Sequence, residues 1–203
     1  MSDLEATRNP VEESLRRALR IVALLNLGYF VVEFGVALSI GSVSLFADSI
    51  DFLEDASVDF LILVALNWSQ IRRSRVGMAL AVILLVPGLA TLWTAWQKFN
   101  LPVPADPVPL SLTGGGAMLV NLVCALLLAR YRTHQGSLTR AAFLSARNDV
   151  LANIGIVIAG LLTAFTGTIW PDLVVGLAIA AVNADAAREV WQAAREEYHS
   201  AEP

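Results

Sequence analysis

The sequence predicts an all-α membrane protein, a polytopic bundle of six transmembrane helices with both termini in the cytoplasm. Three observations predict it. Hydrophobic side chains make up 56% of the 203 residues and charged ones only 16%, with a mean hydropathy of +0.63, which is too apolar for a water-soluble domain of this length. Windows of the length a helix needs to cross a bilayer, about 20 mostly apolar residues, account for most of the chain. Finally, Lys and Arg cluster in every second connection, the asymmetry that membrane insertion leaves behind.

Residues 1–15 are polar and mildly acidic and are expected to form a disordered cytoplasmic tail. A cleavable signal peptide would instead run from a basic start directly into a short apolar stretch. The transmembrane domain is expected over 16–190, with spans at about 18–38, 44–67, 76–97, 111–130, 140–166 and 170–188. Gly41 ends the first span, Leu101–Pro109 separates the third from the fourth, and Gly167 with Pro171 separates the fifth from the sixth. Residues 191–203 read as a short helical extension and cytoplasmic tail, with no further C-terminal domain. Trp68, Trp93, Trp96 and Trp170 fall near span ends, where amphipathic rings anchor at the interface.

Orientation follows from the positive charges. Arg8, Arg16, Arg17 and Arg20 precede span one, Arg72, Arg73 and Arg75 join spans two and three, Arg130, Arg132 and Arg140 flank the next connection, and Arg188 and Arg195 follow span six. The opposite connections hold only Lys98, so both termini are expected in the cytoplasm, with the cell (inner) membrane as the location. A net charge of −4 and short, scattered basic clusters exclude a nucleic-acid partner. The single cysteine, Cys124, lies in an apolar run, which excludes a disulfide framework and a Cys-rich metal site.

Ionisable groups at membrane depth are costly and therefore point to function. Span two stands out: Asp48, Asp51, Asp55 and Asp59 recur at steps of three, four and four. At about 100° per residue they fall within roughly 80° of one another, a stripe that cannot face lipid. Four stacked carboxylates repel unless protonated or compensated by a cation, and a site that exchanges protons for a metal ion satisfies both states. Asp51 and Asp55, one turn apart, read as a chelating pair, with Asp48 and Asp59 along the ion path or supporting the ligands. Glu54 points away from the stripe on the helical wheel.

Span five supplies the facing groups: Ser145, Asn148 and Asp149 share one face, with Asn153 at its edge. Oxygen donors from two antiparallel helices could then close a four-ligand site. Span one adds Asn26 and Glu33 on one face, and span four adds Asn121. Asn26 and Asn121 serve equally well as interhelical hydrogen-bond partners or as parts of the ion path, whereas Glu33 suits a wet cavity or a proton carrier. Spans three and six read as scaffold, with Asp172 near the end of span six at the interface.

In these residues the chain resembles the cation diffusion facilitators. The likeness lies in ALLNLGYFVVEFGVALSIGSVSLFADSIDFLED across spans one and two, MLVNLVCALLLARYR in span four, LTRAAFLSARNDVLANIGIVIAG in span five and WPDLVVGLAIAAV in span six. The family's His/Asp-x-x-x-Asp pattern in span two falls on Asp51 and Asp55, and in span five on Ser145 and Asp149. The resemblance implies export of a divalent cation, Zn²⁺ by family default, coupled to inward proton movement. That ion is a transported substrate, and no prosthetic group is expected.

Two departures shape the expectation. Ser145 stands where a strong ligand belongs, so the fourth ligand is Ser145 or Asn148. Members of the family usually carry a dimerising cytoplasmic domain after span six, and this chain is expected to be a short branch without it, so that a homodimer would form through the membrane domain. The loop between spans four and five has His134 alone.

The expected function is thus a secondary active transporter, with Asp51, Asp55 and Asp149 binding a divalent cation by alternating access. An all-oxygen set leaves Cd²⁺, Co²⁺, Mn²⁺ and Fe²⁺ open beside Zn²⁺. Its competitors are a carrier of protons or a small organic cation using the same stripe, an intramembrane metalloenzyme, and a structural membrane subunit. The enzyme fares poorly because both histidines, His134 and His199, lie outside the spans.

Overall fold

The structure, a computed structural model, describes residues 10–65, 70–131 and 136–201; His134, and the side chain of Ser145, lie outside this description. The described residues form helices α1 (Pro10–Ile40), α2 (Val43–Ala65), α3 (Gln70–Asn100), α4 (Pro107–Ala129), α5 (Gly136–Thr166) and α6 (Trp170–Ala201), with no strand among them. Three segments, Glu13–Ile40, Pro107–Ala129 and Ala146–Thr166, are long and apolar enough to cross a membrane by length and composition alone.

Each expected span falls on one helix, but the outer helices run further than the bilayer length requires. α1 starts at Pro10, inside the stretch read as a tail. Proline suits the first helical position, where no N–H is needed, and Leu15, Ala18, Leu19 and Val22 are buried soon after. α6 continues to Ala201 through the expected tail, a stretch rich in the helix formers Ala, Glu, Gln and Arg.

The joints are built from local chemistry. Gly41, with φ of +62°, ends α1, and the Ser42 N–H reaches back to the Ala37 carbonyl at 3.0 Å. Glycine adopts this left-handed conformation without a Cβ penalty, and the long backward bond closes the helix end. Ser42 then opens α2: its Oγ accepts from the Leu45 N–H at 3.1 Å, so a two-residue joint stops one helix and caps the next. Asp106 caps α4, accepting from the Val108 N–H at 3.0 Å, with Pro107 at the first helical position.

α2 is the hub. It packs most extensively on α1, touches α3, α5 and α6, and meets α4 slightly, while α4 pairs with α5 and α3 with α6. Small residues permit the closest approaches, as in helix packing where lipid supplies no hydrophobic drive. A Cβ on Gly176 of α6 would lie 2.6 Å from the Val43 carbonyl carbon and 2.7 Å from the Ser44 nitrogen at the start of α2. Gly114 of α4 sits likewise against Ile156 of α5, and Gly160 of α5 against Ser111 of α4. Outward, Leu24, Val31, Leu119, Leu126, Leu161, Phe165, Val174 and Val182 are exposed, an apolar coat suited to lipid. Trp93, Trp96 and Trp170 are exposed as well, and the Trp170 ring meets Phe99 edge-on.

One buried network ties three of these elements together. Asp172, in the first turn of α6, is fully buried. Its Oδ1 accepts from the Ser42 and Ser44 hydroxyls at 2.7 and 2.6 Å and from the Ser44 N–H at 3.1 Å; its Oδ2 accepts from the Val43 N–H at 3.0 Å and the Lys98 ammonium at 3.3 Å. Lys98, at the end of α3, also donates to the Gly41 carbonyl. Beyond its place near the end of a span, Asp172 is therefore an acid that binds the first N–H groups of α2 from another helix, where an anion is favoured. Removing one partner of a buried pair costs about 3–5 kcal/mol. Asp172→Ala is expected to lower the unfolding midpoint of the detergent-solubilised protein well below that of Asp172→Asn, which keeps an acceptor; equal midpoints for Asp172→Ala and the parent would contradict this role.

Candidate functional site

The polar residues of the spans converge on the interior around α2. All four aspartates of the stripe turn away from the apolar coat: Asp48 and Asp59 are buried, Asp51 and Asp55 half-buried. The order of burial is the reverse of what the expected roles suggest, since the two residues read as path are the more enclosed. Helical spacing explains the stripe but not this gradient, which depends on the packing of α1, α5 and α6 over the ends of α2.

α5 brings its acid to the same place. The carboxyl groups of Asp55 and Asp149 are in hydrogen-bond contact across α2 and α5, and Asp51 acts on Asp149 through space. Glu54, although off the stripe on the helical wheel, is half-buried and close enough to act electrostatically on Asp51, Asp55 and Asp149. One turn beyond Asp149, the Asn153 amide donates to the Asp149 backbone carbonyl at 2.7 Å, which leaves the Asn153 Oδ1 buried without a donor. The Asp149 Oδ2 is likewise buried with no donor.

Of the two candidates for a fourth ligand, Asn148 is exposed and its Oδ1 accepts from the Arg147 guanidinium at 3.3 Å, so the structure does not bring it to the carboxylates. The side chain of Ser145 falls outside the described residues. Among the described residues no three His, Cys, Asp or Glu side chains are gathered tightly enough to hold one metal ion. The structure thus brings Asp55 of α2 to Asp149 of α5, with Asp51 close enough to act on Asp149 as well.

The remaining polar residues line the interior from other helices. Glu33 of α1 is buried near Asp48, and none of their four carboxyl oxygens has a donor. Asn26 of α1 is buried and its Oδ1 meets the Cys124 thiol of α4 at 3.5 Å, while its Nδ2 has no partner. Asn121 of α4 is buried with an unpartnered Oδ1. Tyr29 was not singled out by the sequence: its hydroxyl donates to the Thr113 carbonyl of α4 at 2.6 Å and its ring packs on Phe52 of α2 at 5.1 Å between centroids. Its place one turn from both Asn26 and Glu33 was the available signal.

This interior is rich in acceptors and poor in cations. Arg147 is exposed and Lys98 is held by Asp172 at the far end of α2. Buried acceptor oxygens without donors are costly unless a proton or a cation meets them.

Such an arrangement, a helical membrane domain with an acid-lined interior, defines a class of cation-handling membrane proteins, and comparison with known proteins places the chain within it. A family model described as the cation efflux transmembrane domain matches residues 19–196. The chain belongs to the cation efflux family and is an integral membrane protein. It is similar to the zinc transporter ZitB of Pectobacterium atrosepticum, at 26% identity over 93% of this chain and 62% of the relative. ZitB of Yersinia pseudotuberculosis is 25% identical over 93% of this chain and 63% of its own length, and ZitB of Escherichia coli 26% identical over 78% and 54%. The chain thus spans less than two thirds of the length of these curated relatives.

The contact between α2 and α5 can be checked directly. Cysteines replacing Asp55 and Asp149 in a Cys124→Ala background should form a disulfide on mild oxidation, because the two side chains meet. Cross-linking that is no faster than for cysteines replacing Asp51 and Asn148 would contradict the register of α2 against α5.

Proposed function

We propose that this chain carries a divalent metal cation out of the cytoplasm in exchange for protons, by alternating access about a site in the membrane interior. The observation that carries the reading is the meeting of Asp55 and Asp149 across α2 and α5 with Asp51 close by: three carboxylates from two helices gathered in the membrane interior. All six helices cross the bilayer in this reading, with both termini cytoplasmic, as the basic clusters favour. The location is the cell (inner) membrane.

Asp51, Asp55 and Asp149 are the proposed ligands, and Ser145 or Asn148 completes the set. Asn148 could do so only by releasing Arg147 and turning inward, whereas Ser145 lies one turn before Asp149 on the same face. Drawing Asp51 and the fourth ligand around the Asp55–Asp149 contact is then the local change that makes a metal site. The carboxylates give both affinity and coupling, because protons and metal compete for the same oxygens. Asp59, Asn26, Asn121 and Asn153 supply polar steps along the ion path.

Zn²⁺ is the first substrate to test, since the similar proteins are named zinc transporters. A hard, all-oxygen set also suits Mn²⁺, Fe²⁺, Co²⁺ and Cd²⁺ less selectively than one containing imidazole. The chain acts as a secondary active transporter rather than an enzyme. A carrier for protons alone is the second reading, favoured by the absence of a ready-made three-acid cluster among the described residues. Proton flux independent of divalent ions would favour it.

In proteoliposomes with a metal dye inside, Asp51→Ala and Asp149→Ala should each slow Zn²⁺ uptake about 10–100-fold, the worth of one charged ligand at ~1.5–3 kcal/mol. Parental rates in both would overturn the ligand assignment. Ser145→Ala and Asn148→Ala made separately should divide: only the variant that removes the fourth ligand weakens Zn²⁺ binding.

A further inference from the structure

Apart from the Asp51, Asp55 and Asp149 group, α1 and α2 bring a second pair of carboxyls together. Glu33 comes from α1 and Asp48 from α2, and each is 0% exposed. The two carboxyl groups are close enough to act on each other, on the two helices that pack together most extensively around α2. No described residue donates to either oxygen of Glu33 or either oxygen of Asp48.

Among the described residues, none brings a positive charge to the pair. Tyr29 on α1 is near both acids, but its hydroxyl is spent on the Thr113 carbonyl of α4. Asp51 and Asp55 on α2 and Asp149 on α5 act on the pair through space, and all are acids. α3 and α6 contribute Lys98 and Asp172, which are closed on each other and on residues 41–44 at the start of α2. α4 contributes the uncharged Asn121 to the buried interior. Two ionised carboxylates this close would leave two buried charges uncompensated, which is costly. A proton between them removes one charge and turns two acceptors into a donor and an acceptor, as in other paired acids.

We propose that Glu33 and Asp48 are a proton-carrying pair, separate from the metal ligands, that gives up its shared proton when the metal arrives and takes one back when it leaves. The proposal rests on the metal–proton exchange reading above. A divalent ion one turn along α2 from Asp48 supplies the positive charge that lets both acids ionise. The O–H bond then breaks, the electron pair stays on the carboxylate, and the proton passes to water on the side to which the cavity is open.

The test uses the full chain in proteoliposomes carrying a Zn²⁺ dye and a pH dye, with Glu33→Gln and Asp48→Asn. Each variant is expected to lower the protons moved per Zn²⁺ by the same amount, and the double variant by no more than either alone, because the proton is shared. A ratio equal to the parent's in both single variants would overturn the pair. A second measurement does not need transport: in metal-free protein in detergent, the infrared C=O band of a protonated carboxyl should be present in the parent and reduced equally in both variants. An undiminished band in either variant overturns the proposal. So does a Zn²⁺ stoichiometry that drops by one equivalent in Glu33→Gln, which would make the pair a metal site. If the parent moves no Zn²⁺ at all, the transport reading fails by itself, and the infrared result still decides the pair.

Discussion

A helix with carboxylates along one side cannot turn that side to lipid, and this constraint orders the bundle around α2. Every helix except α4 packs on it substantially, and α4 reaches it through α1 and α5. The apolar side chains displaced from the interior form the exposed coat, while Glu33, Asp48, Asp59, Asn26, Asn121 and Asn153 are all buried. The two parts of α2 meet the cost of buried charge differently. At its start, Asp172 arrives from α6 with a full complement of donors and fixes the joint with α1. Further along, Asp48 and the facing Glu33 of α1 have no donor to any carboxyl oxygen, and that is where a mobile cation or proton is required.

The contrast suggests how structure and function divide the helix. A carboxylate satisfied by hydroxyls, backbone N–H groups and a lysine has no reason to exchange anything. Buried carboxyl oxygens without a donor, such as those of Glu33 and Asp48, call for a partner from outside the protein, and can release it when the surroundings change. In this account Asp48 of the proton-carrying pair and the metal ligand Asp51 lie a turn apart on α2, so that either charge can be felt by the other without sharing an atom.

The helices were legible in the sequence because bilayer thickness and the glycine and proline punctuation leave little freedom: the windows at 18–38 and 44–67 fall on α1 and α2, with the joint at Gly41 and Ser42. The ends were less legible, since helix propensity carries α6 on to Ala201 after the apolar requirement has stopped. Membership of the cation efflux family was legible from spans one, two, four, five and six, and the family match over 19–196 agrees. Helix periodicity placed the stripe on one face, but it could not say which aspartates would be enclosed, because that depends on neighbours distant in sequence. Asp172 was read as interfacial because it lies near a span end. Its role depends on Lys98 and Ser42, 74 and 130 residues away, although a lone lysine among connections without another basic residue was a sign that it had an acid to meet.

The central claim is that metal is bound by oxygens of α2 and α5 alone. X-ray absorption at the metal edge of the purified, Zn²⁺-loaded protein measures this most directly. The account predicts a first shell of oxygen scatterers at about 2.0–2.2 Å that is lost in Asp149→Ala. A sulfur scatterer near 2.3 Å, which Cys124 would supply, or an unchanged shell in Asp149→Ala, would contradict it.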